Sequence, residues 1–171
     1  MSPVGDAECA MGDTRDLYRT DFHAWTGEQA AALRTLLLER PNLPIDLEHL
    51  IEEVEDLGSD SRARALSFAR LIIQHLLLLE HSPALDQRRH WTDEVDEFRA
   101  QLDEWLSESL RNHLEQELDA IYARARKLVV RTMSRYGEPT ASVPRERPYS
   151  LDQIVTDWFP RGVADTDQEL P

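Results

Sequence analysis

The chain has 171 residues with a net charge of −14, enough for one hydrophobic core and short of bases for gripping phosphate. No wholly apolar run exceeds four residues, as at Leu76–Leu79, so no membrane-spanning helix is expected. Cys9 is the single cysteine, which excludes an intrachain disulfide and suits a reducing, cytoplasmic setting.

The start, Met1-Ser2-Pro3-Val4-Gly5-Asp6, lacks the basic and apolar stretches of a secretory signal. Residues 1–12 and 161–171 read as flexible tails around one helical domain, 13–160. That domain alone holds 28 acids against 18 Lys or Arg. It points to a basic protein partner or a metal cation and away from nucleic acid. A protein partner or self-association is expected, and no membrane partner.

In chain order, Asp13 or Thr14 caps a first short helix with Leu17, Tyr18, Phe22 and Trp25 on its apolar face. Thr26 and Gln29 form a candidate capping box for a second helix, which ends before Pro41. A third helix runs from Asp46 to Leu57, and Gly58 is read as its stop. A fourth starts at Ser59 or Asp60 and reaches Glu80. It is apolar on more than one side and so is expected at the centre of the core. Pro83 marks a break. Trp91, Val95, Phe98, Leu102 and Trp105 then line a helix over 85–107. The last long helix spans 109–136 and stops at Gly137 and Pro139. Ser150 and Gln153 cap a short terminal helix carrying Leu151, Ile154, Val155, Trp158 and Phe159, which must dock to be stable. No alternating strand pattern competes. The expected fold is all-α: an antiparallel helical bundle with about four core helices and short N- and C-terminal helices packed on it.

Several runs resemble a bacterial family of helical proteins of unknown function, DUF29. They are Asp16-Leu17-Tyr18-Arg19-Thr20-Asp21-Phe22-His23-Ala24-Trp25, then Leu50-Ile51-Glu52-Glu53-Val54-Glu55-Asp56-Leu57-Gly58, then His75-Leu76-Leu77, then Pro148-Tyr149-Ser150-Leu151-Asp152-Gln153-Ile154. The resemblance implies a compact helical domain in a bacterial cytoplasm, and brings no catalytic residue, cofactor or substrate. Similar proteins often carry Lys and Trp after His-Leu-Leu, where this chain has Leu78, Leu79 and Glu80.

The candidate residues follow from helical geometry. With the apolar stripe of the third helix centred on Leu50 and Val54, Glu53 and Glu55 fall on its shoulders, while Glu52 and Asp56 face outward. His75 lies in line with Phe68, Ile72 and Leu79, as a buried histidine would. A polar core network of His75, Glu53, Glu55 and Asp21 is one expectation, although a straight hairpin does not easily join Glu53 to His75. Glu52 and Asp56 form the candidate interaction face. The competing reading is a metal-binding bundle, with His75, His81, His90, Asp86 and Asp93 as weak ligand candidates. It lacks the Glu-x-x-His pairs of di-metal carboxylate bundles; the nearest form is Asp46-x-x-His49. No phosphate-binding glycine loop or nucleophile elbow occurs, so no cofactor is implied. The sequence favours a non-enzymatic interaction or regulatory module over a metal-dependent enzyme.

Overall fold

The computed structural model describes residues 16–161. The expected caps Asp13 and Thr14, Cys9, and all of the expected tails except Arg161 lie outside the described residues. Every regular element among the described residues is helical: α1 (Phe22–Glu39), α2 (Leu47–His81), a 3-10 turn (Leu85–Gln87), α3 (Arg88–Asp103), α4 (Glu108–Arg135) and α5 (Leu151–Val155). Residues 16–20 add a helical turn before α1. The chain divides into two compact units, Met1–Ala63 with Ser107–Asn112, and Arg64–Leu106 with His113–Pro171.

In the first unit the N-terminal cap of α1 is Asp21, not Thr26. The Asp21 Oδ1 accepts the Ala24 N–H at 3.0 Å, so the helix starts one turn earlier than the Thr26–Gln29 box implied. Thr26 is buried inside α1, and its hydroxyl donates to the His23 carbonyl at 2.8 Å. Asp21 also reaches the start of α4. Its Oδ2 accepts the Ser109 N–H at 2.8 Å, and its Oδ1 accepts the hydroxyls of Ser107 and Ser109 at 2.8 and 2.6 Å. One carboxylate therefore satisfies orphan donors at two helix N-termini. Burial alone would raise its pKa. The donors from Ser109, Ala24 and Ser107 outweigh that and hold it below the usual carboxylate value.

A depressed carboxylate contributes stability above its unfolded pKa and loses it as pH falls through its folded pKa. Asp21→Asn is therefore expected to be less stable than wild type at pH 6, with the gap shrinking below about pH 4. Urea midpoints at both pH values check this; a gap that stays constant into acid contradicts it.

The largest departure from expectation is at Gly58. The third and fourth helices are one continuous 35-residue helix, α2, and Gly58 lies inside it. Glycine is required there by close approach rather than by a turn. A Cβ on Gly58 would stand 2.3 Å from Thr26 Oγ1 and 3.2 Å from Thr26 Cβ. The Gly58 carbonyl faces the His23 Nδ1 at 3.0 Å and accepts the Ser61 hydroxyl at 2.8 Å. The buried stripe of α2 in this unit is Leu47, Ile51, Gly58 and Ser61. Leu50 is 41% exposed and Leu57 50%, so the stripe is rotated by about one residue from the expected centre.

The second unit carries most of the apolar core. Ile72, Ile73, Leu76, Leu77 and Leu79 on α2 are fully buried, which makes this stretch apolar on more than one side, as expected. Leu114, Leu118, Ile121, Ala125, Val129 and Met133 on α4 supply a buried face at three- and four-residue spacing. Gly137, at φ 73°, ends α4, and the Glu138 N–H closes back on the Met133 carbonyl at 2.9 Å. α5 carries the expected reciprocal capping box of Ser150 and Gln153.

Candidate functional site

The expected polar network does not assemble. Glu53 and Glu55 are both exposed, and Glu55 is bonded by Arg34 of α1. Asp21 is committed to the two helix caps. His75 finds its carboxylate on α3: Nε2 lies 2.6 Å from Glu94 Oε2, while Nδ1 donates to the Leu71 carbonyl at 2.8 Å. The His75 side chain is 14% exposed and packs beside the Phe98 ring, so it is part-buried rather than fully buried as expected.

The weak metal candidates do not come together as one set, although His75 and His90 both approach Glu94 Oε2. His81 Nε2 is buried without a hydrogen-bond partner, and burial pushes its pKa down, so it stays neutral. Asp86, His90 and Asp93 are exposed, and His90 reaches only Glu94, at 3.6 Å. Among the described residues no group of three or more His, Cys, Asp or Glu side chains could hold a metal ion. The metal-bundle reading therefore has no site in these residues. Glu52 and Asp56 are exposed, as are Glu53 and Glu55.

The most built constellation is one that sequence reasoning missed. Arg99 on α3 is buried at 7% exposure. Its Nε donates to the Ile154 carbonyl at 3.0 Å, and its Nη2 donates to the carbonyls of Gln153 at 3.0 Å and Trp158 at 2.6 Å. Its guanidinium lies 4.8 Å from the centre of the Phe159 ring. One arginine thus satisfies the C-terminal carbonyls of α5 and clasps the chain beyond it. Tyr149 completes the attachment, donating its hydroxyl to Glu80 at 2.7 Å; burial and that carboxylate push its pKa well up, so it remains a donor. The signal was present in the sequence. Val95, Arg99 and Leu102 share one helical line, and a lone arginine on an apolar line needs buried acceptors.

Beside Arg99 opens a cleft of about 530 Å³, lined by Asp96, Arg99, Ala100 and Asp103 of α3 and by Val155, Asp157 and Phe159. Among the described residues Nη1 of Arg99 donates no hydrogen bond, and it stands 4.0 Å from Asp96 Oδ1. Desolvation raises the Asp96 pKa; Arg99 opposes the rise, while Asp157 and Asp93 add to it. Burial lowers the Arg99 pKa, and Asp96 and Asp157 oppose that. Three carboxylates against one arginine leave the cleft negative.

A family model described as a domain of unknown function, DUF29, matches residues 17–159. The chain belongs to the DUF29 family. It is also similar to a crystal structure, at 1.45 Å resolution, of an α-helical protein of unknown function from Rhodospirillum rubrum. The two share 25% identity and a TM-score of 0.75, over 84% of this chain and 91% of that one. No curated protein matches the chain. Several residues that carried the DUF29 resemblance have architectural roles here. Asp21 caps two helices, Gly58 admits Thr26, and Tyr149, Ser150 and Gln153 seat the terminal helix. In this DUF29 chain the acid-lined cleft lies beside the Arg99 clasp on the terminal helix.

Proposed function

We propose that the chain is a non-enzymatic interaction module whose acidic surface engages a basic protein partner. One observation carries this reading: the charges of α3 run against its dipole. Arg88 and Arg89 open the helix, and Asp103 and Glu104 close it, with no acid in the first turn and no base in the last. Each such placement costs helix stability, because the N-terminus favours anions and the C-terminus cations. Arg88 has a structural return, since its Nη2 donates to the Leu79 carbonyl at 2.8 Å near the end of α2. Among the described residues Asp103 and Glu104 have none. From Asp93 to Glu104 the exposed residues are Asp93, Asp96, Glu97, Ala100, Asp103 and Glu104. Locally unfavourable residues without a compensating contact are the signature of a surface kept for binding.

A second copy of so acidic a chain would be repelled, so the reading commits to a different, basic protein. Duplex DNA is repelled for the same reason. Among the described residues no helix is long and apolar enough to cross a membrane. The lone cysteine of the sequence suits an encounter in a reducing, cytoplasmic compartment.

Two outcomes test the reading. At low salt, a fluorescent hexa-arginine peptide is expected to bind and to be released by added salt, whereas duplex DNA does not bind. Tight DNA binding with no peptide binding contradicts it. Independently, Asp103→Asn is expected to raise stability by about 0.3–1 kcal/mol by relieving the dipole clash. A lowered denaturation midpoint would show that Asp103 has a structural role after all.

A further inference from the structure

We infer that the cleft between α3 and residues 155–159 receives one lysine or arginine side chain of the partner protein. This rests on the proposed interaction role and places it at one site. The cleft offers two kinds of surface. Asp96, Asp103 and Asp157 supply carboxylates for a cationic head, and Ala100, Val155 and Phe159 supply apolar surface for its alkyl stem. Its one base does not suit it to an anion. Arg99 spends Nε and Nη2 on three backbone carbonyls, and its remaining nitrogen faces Asp96. An incoming phosphate or carboxylate would meet three acids. An incoming cation also relieves the mutual repulsion of Asp96 and Asp157. The volume, about 530 Å³, is in the range of small-ligand pockets and admits one long side chain together with water. The walls come from two segments, α3 and the terminal segment held by Arg99, so Arg99 acts here as a positioning residue.

The test uses the full chain and a fluorescent hexa-arginine peptide, read by anisotropy at low salt. Asp103→Asn with Asp157→Asn removes two exposed carboxylates and is expected to weaken binding about tenfold. Asp103→Asn alone leaves the terminal segment untouched and is expected to weaken it about threefold. Glu52→Gln with Asp56→Asn makes the same change in net charge on the other candidate face and is expected to change affinity less than about twofold. Equal weakening by the two double variants would overturn the cleft assignment while leaving the interaction role standing. Weakening by neither would also overturn it. Absence of any peptide binding by the wild type would remove the interaction role itself. Tighter binding of free spermidine than of the peptide would overturn the choice of a protein side chain as the occupant.

Discussion

Arg99→Met is expected to destabilise the protein by about 3–5 kcal/mol, because three backbone carbonyls lose a charged donor at once. The substitution keeps most of the stem's apolar volume and removes the guanidinium. The carbonyls of Gln153, Ile154 and Trp158 lose their donors, and each orphaned polar group costs about 1–3 kcal/mol unless water reaches it. The Phe159 ring loses the cation on its face. α5 has only five residues and cannot persist undocked. The loss should therefore be localised first: amides of Tyr149–Phe159 exchange near solvent rates while those of α1 stay protected. Arg99→Lys keeps the charge without the fork geometry and should fall between wild type and Arg99→Met. Hydrogen exchange with urea denaturation reads both effects. An unchanged midpoint with protected terminal amides would show that Arg99 does not hold the segment.

Gly58→Val is expected to cost about 3 kcal/mol or more, at the top of the range for overpacking a close contact. Alanine separates the two readings of this glycine. If Gly58 were a helix stop or a flexible joint, Gly58→Ala would stabilise a continuous helix by about 1 kcal/mol. Here its Cβ meets Thr26 Oγ1 at 2.3 Å, and Thr26 is buried and β-branched, with its hydroxyl already bonded to His23. The clash exceeds the propensity gain, and a net loss of about 1–2 kcal/mol is expected. Thr26→Ala in the same chain should recover much of it, giving a coupling energy of about 1 kcal/mol or more in the double-mutant cycle. A higher midpoint for Gly58→Ala would contradict the close-approach account.

These two positions show what could be read from the sequence and what could not. Helix content, the Pro83 break, the Gly137 stop and the Ser150–Gln153 box all follow from local pattern, and local pattern is written in the chain. Gly58 is different. A missing side chain serves a helix stop and a helix crossing equally well, and Ser59-Asp60 after it imitates a new N-cap. Only the partner, Thr26, distinguishes them, and it is 32 residues away. Asp21 and Thr26 are both capable caps, and the choice was decided by the distant Ser107 and Ser109 donors. The stripe of α2 slipped because Leu50 and Ile51 are both apolar, and one residue is about 100° of rotation. That slip placed Glu53 and Glu55 on an interface they do not reach. The cleft was missed for a nonlocal reason: its walls come from α3 and from a segment some 50 residues later. Two local clues were still available, an arginine on the apolar line of α3 and a helix whose charges oppose its dipole.

The binding account is tested most directly by amide chemical-shift mapping of the full chain titrated with hexa-arginine peptide. The account predicts saturable shifts concentrated at Asp93–Glu104 and Val155–Phe159, lost when Asp103 and Asp157 are both replaced by Asn. Shifts centred on Glu52 and Asp56 instead, or spread evenly over every acidic surface, would contradict it.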